Sequence, residues 1–252
     1  MKCTLMLAGL VAGFIAGTAQ AEPLPGLKLD GTRWTYQDDK LKMQGLLFQP
    51  EGKGPFPAIL ISHGLGGSAE GFAMPKAREF VKWGFICIAP DYTHAKGDGD
   101  RKTYGASAEN LARAAKCLDI LASLPAVDQK RLCAYGNSMG AFVTIGLAAA
   151  APDRIKAAAI TAGGVAPREG FPAPSSDAAG KIRTPFCILH GTTDTTVRPE
   201  MSAALKDALD KNRVPVARAL FDGVGHGLHQ EKSKEVNQHL QDWFHKHGVL
   251  QP

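Results

Sequence analysis

Long apolar stretches, blocks of like charge and paired cysteine motifs are all scarce in this chain of 252 residues. Past the first twenty positions, no apolar segment reaches the ~20 residues that a membrane-crossing helix needs, so none is predicted there. The 29 basic and 24 acidic side chains leave a formal net charge of +5, yet the basic residues never form a run of five or six. A mild, dispersed excess aids solubility and does not build a nucleic-acid surface, so no nucleic-acid partner is expected. The five cysteines form no C-x-x-C pair and no Cys/His cluster, which leaves no case for a structural metal. Internal repeats and domain-scale linkers are missing too. Residues 22–252 are therefore expected to fold as one domain, long enough to bury a real core.

The N-terminus reads differently. Met1-Lys2 leads into a Gly/Ala-rich apolar segment that ends at Ala19-Gln20-Ala21. One positive charge, a short apolar core and an A-x-A site make up a secretory signal peptide. Residues 1–21 are predicted to be removed after Ala21, and the protein to be secreted or periplasmic. Cys3 lies ahead of the apolar segment, so no lipid anchor is read there. Cys87, Cys133 and Cys187 each sit inside an apolar run. Export would permit disulfides, but buried free thiols are the preferred reading.

Segments 34–37 and 41–49 alternate apolar and polar residues, as an antiparallel pair at a sheet edge does. From residue 58 onward, short continuous apolar runs at 58–62, 85–89, 132–135, 157–161, 186–190 and 216–221 read as strands buried on both faces. Between them, 75–83, 107–121, 141–151, 199–211 and 232–247 carry helical spacing. Regular strand–helix alternation predicts an α/β fold: a mostly parallel sheet with helices on both faces. The Gly/Pro/Ala/Ser-rich segment 163–180 is too short for a cap domain and is expected to be a loop at the site's mouth. Trp34, Trp83 and Trp243 read as packing anchors.

One pentapeptide carries chemistry. Gly136-Asn137-Ser138-Met139-Gly140 joins the strand ending at Tyr135 to an alanine-rich helical run. A serine in G-x-S-x-G between strand and helix forms a nucleophile elbow, where flanking glycines let the backbone pass closely. A serine hydroxyl needs a base and a group that orients that base. Asp194 follows the strand 186–190 in His190-Gly191-Thr192-Thr193-Asp194, and His226 lies in the glycine-rich loop after 216–221. Ser138, Asp194 and His226 thus follow the chain order of this architecture. Asp222, Asp177 and His229 are weaker rivals. The oxyanion needs two N–H donors. Met139 follows the nucleophile, and Leu65 lies in the glycine-rich turn His63-Gly64-Leu65-Gly66-Gly67. His63 and His190 are expected to shape their loops, and His94 to be a solvated loop histidine. Asp98-Gly99-Asp100 lacks the further oxygen ligands of a calcium loop.

These segments resemble the α/β-hydrolase superfamily, and within it the dienelactone-hydrolase-like and small secreted serine esterase branch. The residues that carry the likeness are 63–67, 128–131, 136–140, 190–194 with Val197, and Gly225-His226. The resemblance implies an α/β-hydrolase fold over roughly 40–247, a Ser138–Asp194–His226 triad and no cofactor. It also implies a small-molecule ester as the partner in the reaction. Dienelactone hydrolases carry cysteine at the elbow, so the serine here favours general ester hydrolysis. Lactone hydrolysis, peptide or amide cleavage, and a non-catalytic binding role on the same scaffold remain the alternatives.

Overall fold

The computed structural model describes residues 24–165 and 172–251. The predicted signal peptide, and the middle of the 163–180 segment, lie outside them. Among the described residues, nine strands form one sheet in the order β1-β2-β3-β5-β4-β6-β7-β8-β9. Strands β1 (Leu27–Asp30), β2 (Arg33–Gln37) and β3 (Lys42–Phe48) are antiparallel, and β3 runs antiparallel to β5 (Ile86–Pro90). From β5 through β4 (Phe56–Ser62), β6 (Val127–Asn137), β7 (Ala157–Thr161), β8 (Phe186–Gly191) and β9 (Val216–Phe221) every pairing is parallel.

The inner parallel strands β4, β5, β7 and β8 and the second half of β6 read as unbroken apolar runs because both sides are covered, whereas β9, expected to be buried on both faces, is a half-buried edge strand that carries Arg218. In β4, Ala58 and Leu60 enter one core while Ile59 and Ile61 enter the other. The first core is closed by α2 (Ala108–Ser123), α3 (Met139–Ala150) and α5 (Pro199–Lys211), through residues such as Leu118, Ile145 and Leu205. The second is closed by α1 (Met74–Lys82) and the C-terminal helix Ser233–Lys246, through Phe80, Leu240 and Phe244. Helix α2 starts where its cap residue dictates: Ser107 Oγ accepts from the Asn110 N–H at 3.2 Å.

Some elements depart from expectation. The antiparallel end has three strands, not two, because β1 is almost wholly exposed and buries no alternating face that a pattern could reveal. The 163–180 segment contains a one-turn helix, α4 (Ser176–Ala179), capped by Ser175. Next to it, Pro172 O accepts from the Ala106 N–H at 2.7 Å, so this segment is tied to the loop after β5. With α4 counted, the short turn Leu228–Glu231 is α6 and the last helix is α7.

All four cysteines described are buried and unpaired. Cys87 and Cys133 both sit level with Ile59 on the strand between them. Two strand spacings, about 9–10 Å, separate their backbones, beyond the roughly 7 Å limit for a disulfide.

Candidate active site

The sheet delivers the chemistry at the C-terminal ends of its parallel strands. At the end of β6, Ser138 adopts φ 54°, ψ −118°, a left-handed conformation that costs a non-glycine residue on the order of 1–3 kcal/mol. The surroundings enforce it. Ser138 N–H donates to Thr161 O at 3.1 Å, and Ser138 O accepts from the Ala141 N–H at 2.9 Å. The two glycines are required by contact: a Cβ on Gly136 would lie 2.2 Å from Gly140 O, and one on Gly140 would lie 2.1 Å from Ser62 O.

Beneath the elbow runs a buried relay that sequence reasoning missed. Tyr135 OH donates to Thr161 Oγ1 at 2.9 Å, which donates to Asn137 Oδ1 at 2.8 Å. The amide oxygen can only accept, so the direction of the chain is fixed. The only sequence signal was a polar residue at the variable position of the elbow.

The three side chains from β6, β8 and β9 converge. His226 Nε2 lies 2.9 Å from Ser138 Oγ, and His226 Nδ1 lies 2.8 Å from Asp194 Oδ2. Exposure falls along this chain, from 30% for the histidine side chain to none for the aspartate. Asp194 is a buried carboxylate with its oxygens well supplied. Oδ1 accepts from the Thr196 and Val197 N–H groups, each at 2.9 Å. Oδ2 is met by His226 and, at 3.3 Å, by His190 Nε2. A carboxylate so held accepts the Nδ1–H of His226 and leaves Nε2 free to receive the serine proton.

His190 shapes this loop, as expected. Its Nε2–H donates to Val197 O at 2.8 Å. Burial pushes its pKa below the usual histidine value, so it supports Asp194 as a neutral ring. The rivals lie elsewhere. Asp222 Oδ1 accepts from Thr192 Oγ1 at 3.2 Å, and the same hydroxyl accepts from Gly223 N–H at 2.9 Å, so both stitch the β8 and β9 loops together. His229 packs edge-on against Phe72 at 5.2 Å, with burial lowering its pKa to about 4.

Across from this triplet, the turn after β4 presents backbone. Gly64 lies against the elbow, since a Cβ there would sit 3.2 Å from Ser138 Cβ. Gly64 O accepts from His63 Nδ1–H at 2.9 Å and from Gly67 N–H at 3.1 Å. In a trans peptide the N–H points away from its own carbonyl, so Leu65 N–H is turned to the opposite side. Among the described residues, neither Leu65 N–H nor Met139 N–H donates to a protein acceptor. His63 is neutral: its Nε2 accepts from Tyr92 N–H at 3.1 Å, and burial lowers its pKa. His94, expected in solvent, is instead fully buried beside it. The loop after β5 folds inward and takes the ring with it. Among the described residues no cluster of His, Cys, Asp and Glu is arranged to hold a metal ion.

A central sheet that is mostly parallel, an elbow after β6 and polar side chains on the following strand ends define the α/β-hydrolase class. Residues 43–246 match the dienelactone hydrolase family, and the chain belongs to that family. YtmA, an uncharacterized peptidase of Bacillus subtilis (strain 168), is 23% identical over 83% of this chain and 91% of its own length. Esterase 2 of Thermogutta terrifontis, solved after phosphonylation by sarin, superposes with a TM-score of 0.72 at 17% identity, covering 90% of this chain and 97% of that one. Acylaminoacyl peptidase of Pyrococcus horikoshii superposes with a TM-score of 0.68 at 15% identity over 88% of this chain. The chain spans only 35% and 42% of the length of two of the peptidases that it matches in fold.

Proposed function

We propose that this hydrolase cleaves carboxylic esters through an acyl-enzyme on Ser138. His226 takes the serine proton as Oγ attacks the substrate carbonyl, then returns it to the leaving alcohol. Asp194 holds His226 in the required tautomer and stabilises the imidazolium. Leu65 and Met139 N–H groups bind the developing oxyanion, each worth about 3 kcal/mol by analogy with removal of a single donor. Water activated by His226 then releases the acid, with no cofactor in any step. The observation that carries this reading is the unbroken chain Ser138–His226–Asp194, with links of 2.9 and 2.8 Å. Purified protein should turn over p-nitrophenyl acetate, and Ser138→Ala should remove that turnover; unchanged activity in the variant would refute the assignment.

Peptide cleavage is the second reading, favoured by the likeness to YtmA and to the acylaminoacyl peptidase fold. An amine leaving group needs stronger acid assistance than an alkoxide, so side-by-side rates on an ester and an aminoacyl anilide decide between them. The dienelactone reading is weakened by serine in place of cysteine at position 138. Export rests on residues 1–21 alone: the mature protein should begin at Glu22, which N-terminal sequencing checks.

A further inference from the structure

The loop after β5 holds a buried histidine that the chemistry above does not use. His94 Nε2 lies 3.0 Å from His63 O. A carbonyl cannot donate, so the ring proton sits on Nε2 and Nδ1 is an acceptor. That acceptor faces Asn110 Nδ2 at 3.2 Å, at the start of α2. Asn110 is itself fully buried; its Oδ1 accepts from Thr93 N–H at 3.1 Å, and its Nδ2 also meets Thr103 O at 3.0 Å and Gly105 O at 3.1 Å. The imidazole stacks on Tyr92 with ring centres 5.4 Å apart and meets His63 edge-on at 4.9 Å. Burial, with the neighbouring His63 adding to it, lowers the His94 pKa to about 4, which keeps the ring neutral in neutral solution.

His94 grips the turn after β4 twice. Its side chain donates to His63 O, and its own carbonyl accepts from Gly66 N–H at 3.0 Å. Those two anchor points bracket the Gly64–Leu65 peptide, whose N–H has no protein acceptor among the described residues. We propose that His94 is a positioning residue for the hydrolytic reaction, fixing the aim of the Leu65 N–H as an oxyanion donor by clamping His63 and Gly66 on either side of it. This inference rests on the serine-hydrolase reading above. An N–H that meets full negative charge only in the transition state affects kcat more than KM when its aim is lost.

The test compares wild-type protein with His94→Leu, which fills the space without a donor, and His94→Gln, whose amide N–H can reach the same carbonyl. Three quantities are measured: kcat and KM on p-nitrophenyl acetate, the rate of phosphonylation by a fluorophosphonate, and the melting temperature. His94→Leu should lower kcat and the phosphonylation rate about 10- to 100-fold with KM within about threefold, and His94→Gln should recover most of both rates. A folded His94→Leu protein with wild-type rates overturns the proposal, as does a His94→Gln protein equally slow at the same melting temperature. If His94→Leu does not fold, His94→Asn takes its place, because its amide falls one methylene short. It should then be slow where His94→Gln is fast, and equal rates overturn the proposal. Wild-type protein that is phosphonylated but hydrolyses no ester ends the ester reading and leaves His94 judged on the phosphonylation ratio. Wild-type protein that does neither overturns both.

Discussion

The loops after β8 and β9 hold a buried charge, whereas the loops after β4 and β5 hold two neutral imidazoles. Around Asp194, backbone N–H groups and two histidines converge on one buried carboxylate, so the position of the partly exposed His226 is set by a charge-assisted hydrogen bond. Around Gly64 and Leu65 the groups that anchor the turn, two imidazoles and backbone amides, are uncharged. Direction there comes from hydrogen bonds whose polarity is forced: His63 must donate from Nδ1 and His94 from Nε2. The charged half can tolerate small shifts, because attraction falls off gradually with distance. The neutral half depends on angle, because a hydrogen bond weakens steeply when it is bent. On the proposed mechanism, one half of the site supplies basicity and the other supplies aim.

The harshest way to break this contrast is at the carboxylate. Asp194→Asn keeps the shape but offers His226 Nδ1 an N–H, which favours the tautomer with its proton on Nε2. Ester kcat at pH 7 should drop about 10³- to 10⁴-fold with little change in KM. A drop of tenfold or less would show that the charge matters little. On the neutral side, His63→Leu removes a donor to Gly64 O and an acceptor for Tyr92 N–H. It should lower kcat about 10- to 100-fold, and steady-state kinetics with a circular dichroism control checks it.

The smallest effect sharpens the contrast through stability. His94 has a folded-state pKa of about 4 against about 6.5 in the unfolded chain. A histidine with a lowered pKa stabilises fully above the unfolded value, and that stabilisation is lost as pH falls from about 6.5 towards 4. Urea unfolding should therefore show a loss on the order of 1–2 kcal/mol from this ring between pH 7 and pH 5. His94→Gln should make that slope shallower by this ring's share, leaving the part that comes from His229, His63 and His190, and Asp194→Asn should leave the His94 share in place. The same slope in His94→Gln protein would place the titration elsewhere.

The parts of the molecule that were legible in sequence share one property: their signal is local. Strands β4, β5, β7 and β8 and the second half of β6 announce themselves because burial on both faces demands unbroken apolar runs; β7 and β9 begin and end where expected, but β9 lies at the sheet edge and is only half-buried, with Arg218 in its middle. The residues of the elbow, the acid loop and the histidine loop stand in the order that the sheet requires, and the structure brings Ser138, Asp194 and His226 together. Strand β1 was invisible because exposure leaves no alternation to read. His94 was misplaced for a different reason. Its burial comes from Asn110, sixteen positions away, and from a carbonyl thirty-one positions back, and no spacing rule connects them. The one-turn helix α6 was hidden too, because four residues are too few to show a helical period, whereas the expected segment 232–247 is α7 within a residue at each end.

The burial of the cysteines has a consequence for the folding chain. While the chain is extended, every thiol is open to wrong partners; once the strands zip together, the same sulfurs are sealed in hydrocarbon, with burial driving their pKa values upward. Folding itself thus acts as the antioxidant, and the alkylation rate of these thiols becomes a clock that ticks only when the molecule opens.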